Sequence, residues 1–115
     1  MVRKGSEMRS ETRSEMGGGK GSVDVIQIME RDEFRGKGRL FARNMLKPGT
    51  SIGYHKHVGD FEAYFIARGE GIFNDNGELV PVKAGDVGII KNGQSHAIEN
   101  TGSEEMEVIA LVLFD

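Results

Sequence analysis

Beyond residue 21 the chain is a succession of short apolar runs cut by turn signals every 8–12 residues, and no segment there sustains a 3.6-residue period. The runs are Val23–Ile28, Arg39–Leu46, Ile52–His57, Glu62–Ala67, Gly71–Asn74, Glu78–Val82, Val87–Ile90, His96–Asn100 and Met106–Phe114. Such a rhythm predicts about nine strands in an all-β sandwich or barrel, with at most one helical turn near Arg31–Phe34. The punctuation suits strands joined by tight turns. Lys47-Pro48-Gly49 and Ala84-Gly85-Asp86 read as turns, and Asp75-Asn76-Gly77 reads as a hairpin connection. Glycine is abundant, at 17 of 115 residues, and proline scarce, at 2. Tight turns need the first, and strand ladders tolerate little of the second.

At 115 residues the chain can build one core. Residues 1–21 read as a separate N-terminal arm and 22–115 as the barrel. The arm is polar, lacks aromatic residues and ends in Gly17-Gly18-Gly19, a hinge composition. Its Glu7, Glu11 and Glu15 stand four apart, which allows a short helix over 6–16 or a solvated tail. An ordered arm of this kind calls for a neighbouring subunit to hold it. Together with barrel edges that need cover, this predicts a homodimer.

Several function classes fall away. Cysteine is absent, which removes disulfide frameworks, thiolate metal sites and thiol nucleophiles. The longest apolar run, Val108–Phe114, is far short of the ~20 residues a membrane-spanning helix needs. The first residues carry no apolar signal segment, so a cytoplasmic protein is expected. The net charge is −3, and the arm's five basic residues against three acidic ones leave it only weakly positive. Neither a nucleic-acid partner nor a membrane is expected.

All three histidines sit in a telling arrangement. His55 and His57 are separated by one residue in a strand, so both imidazoles project from one face. Glu62 follows a short turn and opens the returning strand. His96 opens a strand about forty residues later. Three imidazole nitrogens and one carboxylate make a good donor set for a first-row divalent metal. The same alternation points Ser51, Gly53, Tyr64, Ile66 and Ile98 inward. Tyr64 is the best polar pocket candidate, and Arg43 would be an anion clamp if its face of Arg39–Leu46 turned inward; the apolar pattern leaves that face undecided.

In its spacing the chain resembles the cupins. The first cupin motif is matched by Gly49, five residues, His55-Lys56-His57, four residues, Glu62, six residues and Gly69. The second is matched by Gly85, five residues, Lys91-Asn92-Gly93, two residues, His96, three residues and Asn100, with Lys91 standing where the family has proline. The resemblance covers residues 49–100. It implies a double-stranded β-helix, or jelly-roll barrel, commonly dimeric. It also implies that His55, His57, Glu62 and His96 coordinate one divalent transition metal. Mn is preferred among Mn, Fe, Co, Ni, Cu and Zn, and two positions stay open to ligand. The implied function is an enzyme acting on a small carboxylate or hydroxy acid chelated at the metal, by oxalate decarboxylase-like or dioxygenase-like chemistry. The alternatives are a non-catalytic module that binds or senses a small metabolite, and a sugar-type isomerase with Tyr64 as base. The oxalate-degrading members carry Arg or Asn three residues before the first histidine, where this chain has Ile52.

Overall fold

The computed structural model describes residues 1–115 and contains ten strands: β1 (Ser10–Ser14), β2 (Ser22–Gln27), β3 (Gly38–Leu46), β4 (Ser51–Lys56), β5 (Asp60–Arg68), β6 (Glu70–Asp75), β7 (Glu78–Lys83), β8 (Val87–Ile90), β9 (Ser95–Asn100) and β10 (Met106–Phe114). They form two antiparallel sheets. The larger runs β1-β2-β3-β10-β5-β8 and the smaller β4-β9-β6-β7. All nine expected strands are present within a residue or two of their expected ends. A short 3-10 turn occupies Arg31–Phe34.

Why the sheets close on each other is visible in the alternation. Along β3 every second residue, from Gly38 through Leu40, Ala42 and Asn44 to Leu46, is buried, and β10 repeats the pattern with Met106, Val108, Ala110 and Val112. The smaller sheet supplies Ile52, Phe73 and Ile98. Each fully buried Ile, Leu or Val side chain contributes roughly 1.5–3 kcal/mol from burial. At the β6–β7 hairpin both Asn76 (φ 53°) and Gly77 (φ 99°) adopt positive φ, as a two-residue turn requires.

Two expectations are corrected here. First, residues 6–16 form no helix. Residues 10–14 are instead β1, paired with β2 from Ser10 opposite Ile26 to Ser14 opposite Ser22. Only single 3-10 turns flank it, at Gly5–Glu7 and Met16–Gly18. The physical reason is competition. A lone helix of this length is marginal and its glutamates would repel at i,i+4, whereas β2 offers an unpaired edge of backbone donors and acceptors. In the strand, Glu11 and Arg13 lie two apart and form an ion pair of 2.7 Å.

Nor is the arm a solvated tail: its own barrel holds it. Arg3 binds the Ile28 carbonyl at 2.8 Å, and the Ser51 N–H donates to the Lys20 carbonyl at 3.0 Å. Second, Arg43 does not face the barrel interior. Leu40, Ala42, Asn44 and Leu46 do, and Arg43 points outward to a bidentate pair with Glu107 at 2.9 and 3.3 Å. Four small or apolar side chains outbid one guanidinium for the core.

Candidate metal centre

The two sheets bring His55, His57, Glu62 and His96 to one point. One donor atom from each lies within 4.8 Å of all the others. Glu62 and His96 reach this point from within β5 and β9, and His57 from just past the end of β4. His55 reaches it through an irregularity: β4 pairs with β9 as Ile52–Ile98 and then His55–His96, so an extra residue bulges from the ladder. That bulge also turns Ile52 inward, where strict alternation from His55 would have put Ser51 and Gly53 alone.

Glu62 Oε1 sits 2.9 Å from His57 Nε2, 3.0 Å from His96 Nε2 and 3.9 Å from His55 Nε2. The imidazole Nε2 atoms are close to one another as well, at 3.1 Å (His57–His96) and 3.2 Å (His96–His55).

The outer hydrogen bonds fix what these atoms can be. His55 Nδ1 lies 2.7 Å from the Gly53 carbonyl, which can only accept, so Nδ1 carries the proton. His57 Nδ1 donates in the same way to Asp60 Oδ1 at 2.7 Å. When the rings are neutral, their Nε2 atoms are therefore bare lone pairs converging on a carboxylate oxygen. Lone pairs so close together need a shared cation, and a divalent metal fits this donor set. His96 is fully buried, stacks on Tyr64 (centroids 4.6 Å apart) and leaves Nδ1 without a hydrogen-bond partner.

Electrostatics follow the same geometry. Burial would raise the Glu62 carboxyl, but hydrogen bonding to the three histidines outweighs it and holds the group far below the usual carboxylate range. Hydrogen bonding to Glu62 raises His57, with Asp60 adding to the effect against burial. Burial dominates at His96 and lowers it. Burial also pushes the Tyr64 phenol well up, and the neighbouring Glu62 charge pushes it further, so the hydroxyl stays protonated and serves as a donor.

The cluster lies at the back of a cavity of about 530 Å³ that Tyr64 also lines. Arg43 does not. Several lining residues were not singled out in the sequence: Arg9, Arg13, Met16 and Gly17 from the arm, and Gln27, Arg31 and Arg39 from the larger sheet and its loops. Asp60 was missed as well. It bridges His57 to Arg39, whose Nε donates to Asp60 Oδ2 at 2.9 Å. A carboxylate three residues from a candidate ligand was the available signal for it. No such signal existed for the arm residues, which reach the cavity only through strand pairing and a close glycine contact. The Gly17–Gly19 backbone lies directly on Gly53 of β4.

Comparison with known proteins agrees with this geometry. Residues 43–113 match the family model described as cupin domain. The chain is 49% identical over 113 residues to an "oxalate-binding protein" of Thermotoga maritima, covering 98% of this chain and 93% of that one. A crystal structure of a predicted oxalate decarboxylase from Thermotoga maritima superposes with TM-score 0.96 at 48% identity, covering all of both chains. The polyketide cyclase RemF of Streptomyces resistomycificus shares the fold alone, with TM-score 0.77 and 14% identity over 99% of this chain and 80% of that one. The fold, the three-histidine, one-carboxylate cluster and the sequence match converge: this chain belongs to the cupin family.

Proposed function

We propose that His55, His57, Glu62 and His96 hold one divalent metal and that the protein binds a small carboxylate or hydroxy acid at it. The convergence of three imidazole Nε2 atoms and one carboxylate oxygen at the back of an open cavity carries this reading. A metal bound there would supply open coordination positions and Lewis acidity toward a chelating ligand. The chain's own residues do the rest. Asp60 and the Gly53 carbonyl hold His57 and His55 with Nε2 forward. Ile52, Leu40 and Val112 line the cavity with apolar surface, and Tyr64 offers a phenolic proton beside Glu62. The names of the Thermotoga relatives support oxalate as the first ligand to test. Manganese is the metal we favour, and the cytoplasm the compartment, since a cysteine-free chain has no need of an oxidising one.

Elemental analysis of protein purified without chelator or His-tag tests the metal, and calorimetric titration with oxalate tests the ligand. The expected result is about one equivalent of metal per chain, lost in the His55→Ala/His96→Ala variant, and oxalate binding that requires the metal. Metal-free wild type with no rise in melting temperature on adding Mn, Fe, Ni or Zn overturns the reading.

Turnover of the ligand is a second reading, favoured by the position of Tyr64, whose ring stacks on His96 and which lines the same cavity. Release of formate and carbon dioxide from oxalate would establish it, and loss of that release in Tyr64→Phe would assign the proton donor. The isomerase reading is weaker, because a buried phenol that keeps its proton cannot serve as its base.

A homodimer remains part of the proposal on different grounds. Contacts within the chain already seat the arm, but the outer face of the larger sheet carries an apolar patch beside the Arg43–Glu107 pair. Its cross-strand rows run Phe41–Leu111–Ala63–Ile89 and Arg43–Ile109–Phe65–Val87, apolar but for Arg43. Phe65, Val87 and Ile89 are all exposed. Covering this face against its own copy would remove a patch that single subunits seldom leave open.

A further inference from the structure

We propose that the ligand is an extended dianion: a chelating hydroxy-acid head at the metal and a second anionic group that meets Arg31 at the cavity mouth. This rests on the reading above and names the ligand class of that same site.

Charge is the first observation. Four arginines line the cavity: Arg9, Arg13, Arg31 and Arg39. Three of them are already matched. Arg9 meets Glu30 at 3.1 Å, Arg13 meets Glu11 at 2.7 Å, and Arg39 meets Asp60 at 2.9 Å. Arg31 pairs with no carboxylate. Its guanidinium rests 5.3 Å above the Phe114 ring, which positions the group without neutralising it. Four arginines against three carboxylates leave one positive charge at the mouth. At the other end, a divalent metal against Glu62 also leaves one. Two separated single charges complement a ligand with an anionic group at each end.

Size is the second observation. A cavity of about 530 Å³ falls among those that enclose drug-sized molecules, ~300–1,000 Å³. Oxalate, a two-carbon diacid, would occupy the metal end and leave the mouth to water. A longer diacid spans both ends, and a guanidinium suits a carboxylate there because it can donate two parallel N–H bonds.

Wall construction is the third. The side of the cavity that carries Arg9 and Arg13 belongs to the arm. The arm is seated by backbone contact of Gly17 and Gly19 with Gly53, with no side chain between them. Its two arginines are held by Glu11 and Glu30. The mouth is thus a built, charge-balanced rim with a single open cation.

A matched pair of probes tests this. Manganese-loaded protein is titrated calorimetrically, at fixed ionic strength, with oxalate, 2-hydroxyglutarate and 2-hydroxypentanoate. The last two share the chelating head and chain length and differ in the distal carboxylate. 2-Hydroxyglutarate is expected to bind about ten- to a hundredfold more tightly than 2-hydroxypentanoate, the range of one charge-assisted hydrogen bond. In Arg31→Gln the ratio should collapse toward one, and Arg31→Lys should keep part of it. A wild-type ratio near one, with metal-dependent binding of either hydroxy acid or of oxalate, overturns this proposal and leaves the metal-site reading intact. No metal-dependent binding of any probe sinks that reading, and this one with it. A large ratio that survives Arg31→Gln overturns the assignment to Arg31. The wild-type ratio decides the ligand class even if the variant fails to fold.

Discussion

Asp60 shows how much of the centre depends on residues that need never touch a metal. It accepts from His57 Nδ1 at 2.7 Å and from Arg39 at 2.9 Å, and it is nearly buried. Burial would raise its carboxyl, yet Arg39 and His57 together hold it below its ordinary value. It therefore stays ionised and fixes the tautomer and orientation of His57. Asp60→Ala should weaken metal affinity about 10–100-fold while the barrel still folds, the usual effect of losing such a support. Competition titration against a chelator measures this, and unchanged affinity would refute the role. Glu107 makes a different point on the outer face. Its hydrogen bond to Arg43 holds its carboxyl below the ordinary glutamate value, against burial. A depressed folded-state pKa contributes stability above the unfolded value, and that stability is lost as the pH falls through the folded value. Arg43 is partly exposed, so the pair is worth only ~0.2–1 kcal/mol. Glu107→Gln should be less stable than wild type by that amount at neutral pH. The gap should start to narrow below about pH 4.3 and close only below the lowered folded-state value, as urea unfolding across pH would reveal.

Among the elements, β1 and β4 depart most from what spacing alone suggests. Both departures come from glycine and from strand edges. The arm approaches β4 so closely that a Cβ on Gly53 would collide with the Gly17 carbonyl and the Gly19 amide, and one on Gly19 with the Ser51 carbonyl. These are backbone contacts, so no side-chain rotation can relieve them. Gly53→Ala should lower stability by about 1–3 kcal/mol, read as a fall in melting temperature. It should also weaken metal binding, because the Gly53 carbonyl orients His55. A variant as stable as wild type would show that the arm is not seated this way. Gly17-Gly18-Gly19 looks like a hinge by composition. In the fold it is a close-packed contact in which Gly19 leaves no room for a Cβ.

At the scale of the molecule, two asymmetric sheets divide the work. The smaller sheet and the start of β5 carry the donor cluster. The larger sheet walls the cavity on its inner face and carries an exposed apolar patch on its outer one. If two copies meet through that outer face, a charge in its centre should split them. Phe65→Glu with Ile109→Glu should sediment as a monomer with metal stoichiometry unchanged, since neither side chain lines the cavity. A wild type that already sediments as a monomer would remove the dimer from the proposal. No helix of the chain is long and apolar enough to cross a membrane.

The sequence by itself determined the strand positions along the chain, the Asn76-Gly77 hairpin and the donor set. These depend on local chemistry: period-two alternation, turn residues that accept positive φ, and histidines at offsets a strand pair brings together. It also marked Tyr64 as inward-facing. Only the tertiary structure decided which face of β3 turned in, because Leu40, Ala42 and Leu46 have no preference until a second sheet competes for them. It alone turned the arm from a marginal helix into a strand, because the edge that captures it lies on another segment. It alone made the cavity's rim, because Arg9, Arg13, Arg31 and Arg39 meet through pairings of distant residues. Local physics sets what each segment can become, and long-range burial and edge pairing choose among those options.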